Sequence, residues 1–371
     1  MTETALPTQI APPEPPPAQF DSPQVPFLIE ADEFVRASQA RQRFHVTGKG
    51  LCAAVLDTGL NLQHVDFAGR IVAGRNFTPD NGSNADDVSD GNGHGTNVAG
   101  IVLAKGDHIG MAPEAGLVPL KVLKNKGGGS FDWVEQALDW VLQNHPAYSI
   151  SAVCMSLGDS GNYTSDVPFS TTALAAKIIA LRQAKVAVVI AAGNDYFTHG
   201  SQQGMGFPAI IRQSVSVGAV YDAEEGGFKY GSGAEAFSTR AGQITPFSQR
   251  LHPSVNRATR TEIFAPGAPI ASAGINGPHG ESIQHGTSQA TPVTVGIILL
   301  LQEFYQRHAG ELPAVDQVSN WLRRGGVAIR DGDDEDDNVQ HTNLSFLRLD
   351  AVRALSAAYR ELLRLRLSPV L

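Results

Sequence analysis

The strongest constraint on the fold is a series of short apolar runs that do not alternate with polar residues. Residues 51–56, 117–123, 150–155, 186–191 and 214–220 are each rich in Val, Ile, Leu and Ala. A strand covered on both faces reads this way, whereas a strand with one wet face alternates. Between these runs the apolar pattern becomes helical. Over 131–144, Phe131, Val134, Leu138, Val141 and Leu142 fall on one stripe, while Asp132, Glu135 and Asp139 lie elsewhere. Residues 171–184 follow the same pattern, and 293–306 are apolar nearly all round, as a central buried helix would be. Strands and helices in alternation predict an α/β domain with a parallel sheet.

Composition narrows the function. The chain has 371 residues, 42% of them apolar, enough for a sizeable core. Its net charge of −9 argues against nucleic-acid and anionic-membrane partners, which demand clustered Lys and Arg. No apolar run approaches the roughly 18 residues that span a bilayer, and residues 1–30 lack the basic and apolar regions of a signal peptide. Cys52 and Cys154 both sit in apolar runs, which predicts buried, reduced thiols. The expectation is a soluble, cytoplasmic, monomeric protein.

The ends and two internal stretches depart from the α/β pattern. Residues 1–26 hold eight of the 22 prolines, including Pro12-Pro13-Glu14-Pro15-Pro16-Pro17. Too few apolar groups are present to offset ordering entropy, so a disordered arm is expected there and one globular domain over 27–371. Residues 28–43 have helical character. Residues 222–245, rich in Gly and small side chains, read as a long surface loop. Asp331-Gly332-Asp333-Asp334-Glu335-Asp336-Asp337 reads as a solvated acidic loop, with a calcium site as the alternative because hard cations take carboxylate oxygens.

Three reactive side chains stand among glycines where strands end or helices begin. Asp57 closes the first apolar run, ahead of Thr58-Gly59. His94 opens a small-residue helical stretch in His94-Gly95-Thr96, and Ser288 ends Gly286-Thr287-Ser288. Pro292 predicts that the helix carrying Ser288 begins within the turn before it. Each signal is weak alone, since a strand-end Asp is often a cap and a lone His is usually structural. In the order Asp, His, Ser, at separations of 37 and 194 residues, they form a pattern. With Ala191-Ala192-Gly193-Asn194, Gly110-Met111-Ala112-Pro113 and Lys121-Val122-Leu123, it resembles the subtilisin family of serine proteases, the subtilases, from about residue 46 to 301.

The resemblance implies a three-layer α/β/α fold with a mostly parallel central sheet, and a serine endopeptidase acting on extended or unfolded polypeptides. Ser288 would be the nucleophile, His94 the base that takes its proton, and Asp57 the group that orients and stabilises the imidazolium. Asn194 and the Ser288 backbone N–H would face the oxyanion. Substrate would bind as an added strand between Gly127, Gly128, Gly129, Ser130 on one side and Ser156, Leu157, Gly158 on the other. Ala191, Ala192 and Gly193 would complete the pocket for the residue preceding the cut, near Gly206, with Asp195 at its rim favouring a basic side chain. The chemistry requires no cofactor, though calcium commonly pins loops in this family. Asp86, Asp87, Asp90 and the acidic run 331–337 are the candidate ligands, and none matches a family calcium motif.

Several positions depart from the family pattern. Asn97 stands where many relatives have a second histidine, Gln289 where many have methionine, His285 where asparagine is frequent, and Asp159 in place of a common glycine. Gln289 predicts resistance to peroxide. Only 56 residues precede Asp57, fewer than a secreted subtilase's prodomain would need, so residues 1–26 are expected to serve as a short cleft-covering propeptide or as a tether. Two other functions share these residues: acyl transfer to an amine, giving ligation or macrocyclisation, and peptide binding without catalysis.

Overall fold

Each of the five apolar runs is a strand of one sheet. The computed structural model describes residues 6–13, 16–19 and 28–367, so the expected domain boundary at 26/27 lies outside the described residues. The chain opens with two short strands, β1 (Gln9–Ile10) and β2 (Ala18–Gln19), and helices α1 (Leu28–Val35) and α2 (Ala37–Phe44). β3 (Cys52–Asp57) and β4 (Arg75–Asn76) lead to α3 (His94–Leu103). Then come β5 (Gly116–Lys121), β6 (Gly129–Ser130), α4 (Phe131–Tyr148) and β7 (Ile150–Met155). α5 (Ala173–Gln183) separates these from β8 (Ala187–Ala191) and β9 (Val215–Tyr221). Two strands, β10 (Phe228–Lys229) and β11 (Glu235–Ser238), precede β12 (Ile263–Ala268) and the hairpin of β13 (Ile270–Ala273) with β14 (Glu281–Gln284). α6 (Thr287–Ala309) and α7 (Val315–Gly325) follow. The last elements are β15 (Val327–Arg330), β16 (Asp336–Asp337), β17 (Ser345–Arg348) and α8 (Ala351–Leu367).

The central sheet has the order β15-β17-β12-β9-β8-β7-β3-β5-β4 and is parallel except at β15. Residues in each strand alternate between two cores. Ala53 and Val55 face the helices α3 and α6, while Cys52, Ala54 and Leu56 face α4 and α5. That is the expected α/β/α arrangement, and it explains why the strands read as unbroken apolar runs. Both cysteines are buried free thiols.

Four expectations require correction. Residues 222–245 are not a surface loop: they contain β10 and β11, and Glu225, Phe228, Tyr230, Ala234, Ala236 and Ile244 are buried. Tyr221, Phe228, Tyr230 and His285 form an aromatic cluster there, and Ala234 and Ala236 are buried in the same core. The acidic run is only partly solvated. Asp331 is fully buried against Arg250 (3.1 Å) and His341 (3.2 Å), and β16 pairs with β11. The arm is not disordered throughout, because β1 and β2 are paired strands. Finally, α6 begins at Thr287, so Pro292 lies beyond its first turn. Proline there removes the N–H that would bond the Ser288 carbonyl, and the Ser156 hydroxyl donates to that carbonyl instead (2.7 Å).

Candidate active site

β3 delivers Asp57 to the carboxyl edge of the sheet, where α3 starts with His94. Gly95 permits this approach, since a Cβ there would collide with the Gly59 carbonyl. The Thr58 hydroxyl fixes the same junction by accepting from Gly95 N–H (2.8 Å). His94 Nδ1 lies 2.7 Å from Asp57 Oδ1, and both side chains are buried. A carboxylate can only accept, so Nδ1 carries the proton and Nε2 presents its lone pair to the cleft. Burial alone would lower the histidine's pKa, but the Asp57 charge and hydrogen bond outweigh it and raise the value.

Ser288 sits in the first turn of α6, and with His94 and Asn194 it lines one continuous pocket. Its hydroxyl donates to the Ser156 carbonyl (3.3 Å) rather than to His94 among the described residues. Carboxylate and imidazole therefore touch, while the hydroxyl lines the same pocket as the imidazole and is bonded to Ser156. Asn194 is oriented by a residue the motif reading passed over. Thr287 donates to Asn194 Oδ1 from both its backbone N–H (2.9 Å) and its hydroxyl (2.8 Å). The remaining Asn194 NH₂ group must then face the cleft beside the N-terminus of α6, where backbone N–H groups lack helical partners. The signal for Thr287 was its position at the helix start.

The predicted peptide groove is occupied by the chain's own arm. β1 pairs antiparallel with β6, Gln9 opposite Ser130 and Ile10 opposite Gly129. On the other flank Ala11 N–H donates to the Gly158 carbonyl (2.9 Å). Ile10 is buried beside Gly129. Gly127 and Gly128 form the turn leading into β6, and a Cβ on Gly127 would stand 2.9 Å from Pro12. Ser156, Leu157, Gly158, Ala191, Gly193, Asp195 and Gly206 line the adjoining pocket together with Pro12 and Pro13. Ala192 does not: it is fully buried behind this wall, its carbonyl accepting from Gly206 N–H (2.8 Å).

The departures from the family pattern find structural partners. Gln289 is buried and donates to Asn97 Oδ1 (3.2 Å), while Asn97 donates to the Ser282 carbonyl (2.9 Å), so two of the unusual residues form one network. His285 points away from Ser288 toward Tyr230 (3.3 Å), and burial pushes its pKa down to about 3. So weak a proton acceptor is no second base. Asp159 ties down its own loop, accepting from Gly161 and Phe207 N–H (2.9 Å each) and from the Tyr163 hydroxyl (2.9 Å). Asp195 does reach the pocket, and burial raises its pKa.

The calcium candidates differ in fit. Both oxygens of Asp90 are spent on Asn92, Gly93 and Thr96, and Asp87 accepts from Ser89 N–H, which makes them turn residues. In the acidic run, Asp333, Asp334 and Glu335 bring carboxylate oxygens within 4.8 Å of one another. Asp331, Glu335 and His341 do the same, but Arg250 already balances Asp331.

Comparison with known proteins agrees with this geometry. A model of the Subtilase family matches residues 48–324. The intracellular serine protease of Paenibacillus polymyxa is 30% identical over 259 residues, covering 69% of this chain and 68% of that protein. The major intracellular serine protease of Bacillus subtilis (strain 168) is 32% identical over 281 residues, covering 74% and 76%. An extracellular serine proteinase of Thermus sp. (strain Rt41A) is 32% identical over 284 residues, covering 76% and 58%. Sheet order, strand-end chemistry and family match converge on one assignment: the chain belongs to the subtilase family and is a subtilisin-like serine protease.

Proposed function

We propose that this protease cuts extended polypeptides through Ser288, His94 and Asp57, with Asn194 and the Ser288 backbone N–H as oxyanion donors. His94 Nε2 takes the Ser288 proton as Oγ bonds to the substrate carbonyl carbon. The C–N bond then breaks, the amine leaves with that proton, and water repeats the sequence on the acyl-enzyme. Apart from the substrate and the attacking water, these steps call on groups of the chain itself.

The observation that carries this reading is the arm, a peptide held as an added strand with both flanks paired beside Ser288. Its register also accounts for the hydrogen bond that the Ser288 hydroxyl makes. With Ala11 bonded to Gly158, strand alternation sets residue 13 against Ser156. Pro13 has no N–H to give, and the Ser156 carbonyl accepts the Ser288 hydroxyl instead. A substrate residue with an N–H would take that carbonyl and release Ser288 toward His94. We therefore assign the arm as a cleft-filling inhibitor that resists being cut. Two relatives are named intracellular proteases, and no helix among the described residues is long and apolar enough to cross a membrane. The relatives' names support a cytoplasmic enzyme.

A diverse peptide library incubated with the wild type and with Ser288→Ala tests the assignment. Cleavage by the first and none by the second is expected. Equal turnover by both would overturn it, and products carrying an added amine would mark acyl transfer.

A further inference from the structure

The cleft continues well past the reacting atoms. Beyond Pro13, Pro16 borders the wall formed by His94, Gln284, His285 and Ser288, and Ala18 and Gln19 form β2. β2 pairs antiparallel with β10, Lys229 opposite Ala18 and Phe228 opposite Gln19. The small sheet runs β16-β11-β10-β2, so the arm supplies its outermost strand. Without the arm, β10 is an open edge, and the arm residue opposite Lys229, Ala18, comes five positions after Pro13 in the chain.

The backbone of that edge is directed at its occupant. Tyr230 N–H donates to the Ala234 carbonyl (2.9 Å), which turns Tyr230, and by alternation Phe228, toward β11. Lys229 between them therefore turns its N–H and C=O the other way, toward β2. Its side chain is exposed, as a charged residue on an edge strand commonly is, and this discourages pairing of β10 with other copies when the edge is bare.

We propose that the β10 edge is a second substrate-binding site, which takes the backbone of an extended polypeptide about five residues after the scissile bond. The arm borrows this site; substrate occupies it during turnover. Backbone pairing captures the leaving half of the substrate whatever its sequence, so the enzyme favours long unfolded segments over short peptides. Two backbone hydrogen bonds at the weak end of their net strength, as expected at an exposed sheet edge, give about a five- to tenfold gain in kcat/KM. This inference rests on the peptidase reading above and extends it to substrate length.

The test uses the full chain with its arm detached by Ile10→Asp and Ala18→Pro. Peptides share six residues before the cut and carry two, four, six or eight after it. A five- to tenfold rise in kcat/KM between four and six residues is expected. Lys229→Pro in the same background should collapse that ratio toward one, and Lys229→Ala, which keeps the backbone N–H, should preserve it. Circular dichroism and the thermal midpoint verify that the Lys229→Pro protein is folded. A flat series with active enzyme overturns the second site alone. Cleavage of no peptide at any length overturns the peptidase reading and this inference with it.

Discussion

On the side of Ser288 where residues 9–11 of the arm are paired, the cleft wall is backbone from β6 and from the segment following β7. On the opposite side the wall is β10, which belongs to a separate small sheet with β11 and β16. That sheet is braced by the acidic run: Ser238 donates to Asp336 (2.9 Å), Gln243 to the Asp334 carbonyl (3.1 Å), and Glu235 N–H to Asn338 (2.8 Å). Beneath it Arg250 is stacked on Tyr196 (3.6 Å to the ring) and paired with buried Asp331. The two halves teach a division of labour. On the proposed reading one half holds the peptide where chemistry occurs, and the other adds grip and is braced by its own buried ion pair.

Four experiments sharpen or break that division. The largest effect falls on the chemical half. Asp57→Asn should lower kcat by about 10⁴, the magnitude known for this substitution in another serine-protease triad. It should also move the acid limb of the pH profile. His94 acts as a base only when neutral, and Asp57 raises its pKa, so the wild-type limb lies above pH 6.5. Without that charge burial dominates and the limb moves down. A limb unchanged in Asp57→Asn would contradict the assigned contact.

Next in size is a stability effect on the other half. Arg250→Ala leaves Asp331 buried without its main cation, which should cost about 3–5 kcal/mol of unfolding free energy in urea titration. Asn194→Ala should then lower kcat by about 10²–10³, subtilisin's own value for its corresponding asparagine, with little change in KM. A change confined to KM would remove Asn194 from the oxyanion site. The smallest effect belongs to the arm. Ile10→Asp places a carboxylate where an apolar side chain is buried, forfeiting about 2 kcal/mol of binding. Peptidase activity of the intact chain should rise by at least about tenfold. Unaltered activity would show that the arm leaves turnover free.

The halves also differ in how far the amino-acid pattern revealed them. Strand runs covered on both faces are unmistakable, so β3, β5, β7, β8 and β9 were legible to within a few residues. β12 was not, because Pro266-Gly267 interrupts its apolar text, and β17 is only four residues long. Asp57, His94, Ser288 and Asn194 stand in motifs whose spacing carries the resemblance. The β10–β11 segment has no such text. Its Gly-rich stretch looks like a loop until the acidic run, about 100 residues later, closes over it, and pairing across that distance leaves no local periodicity. The arm was expected as a cleft cover or a tether, but its strand pairing was hidden for a related reason. Its prolines signal lack of structure in isolation, and only the open groove beside β6 gives Gln9 and Ile10 something to pair with.

A fluorophosphonate probe reads the activation of Ser288 itself, because it reacts readily only with a serine hydroxyl activated by a neighbouring base. On the chain carrying Ile10→Asp, intact mass and peptide mapping should find one label, on Ser288, and His94→Ala should abolish it. Labelling that is absent from the arm-released protein, or equally fast without His94, would contradict the account.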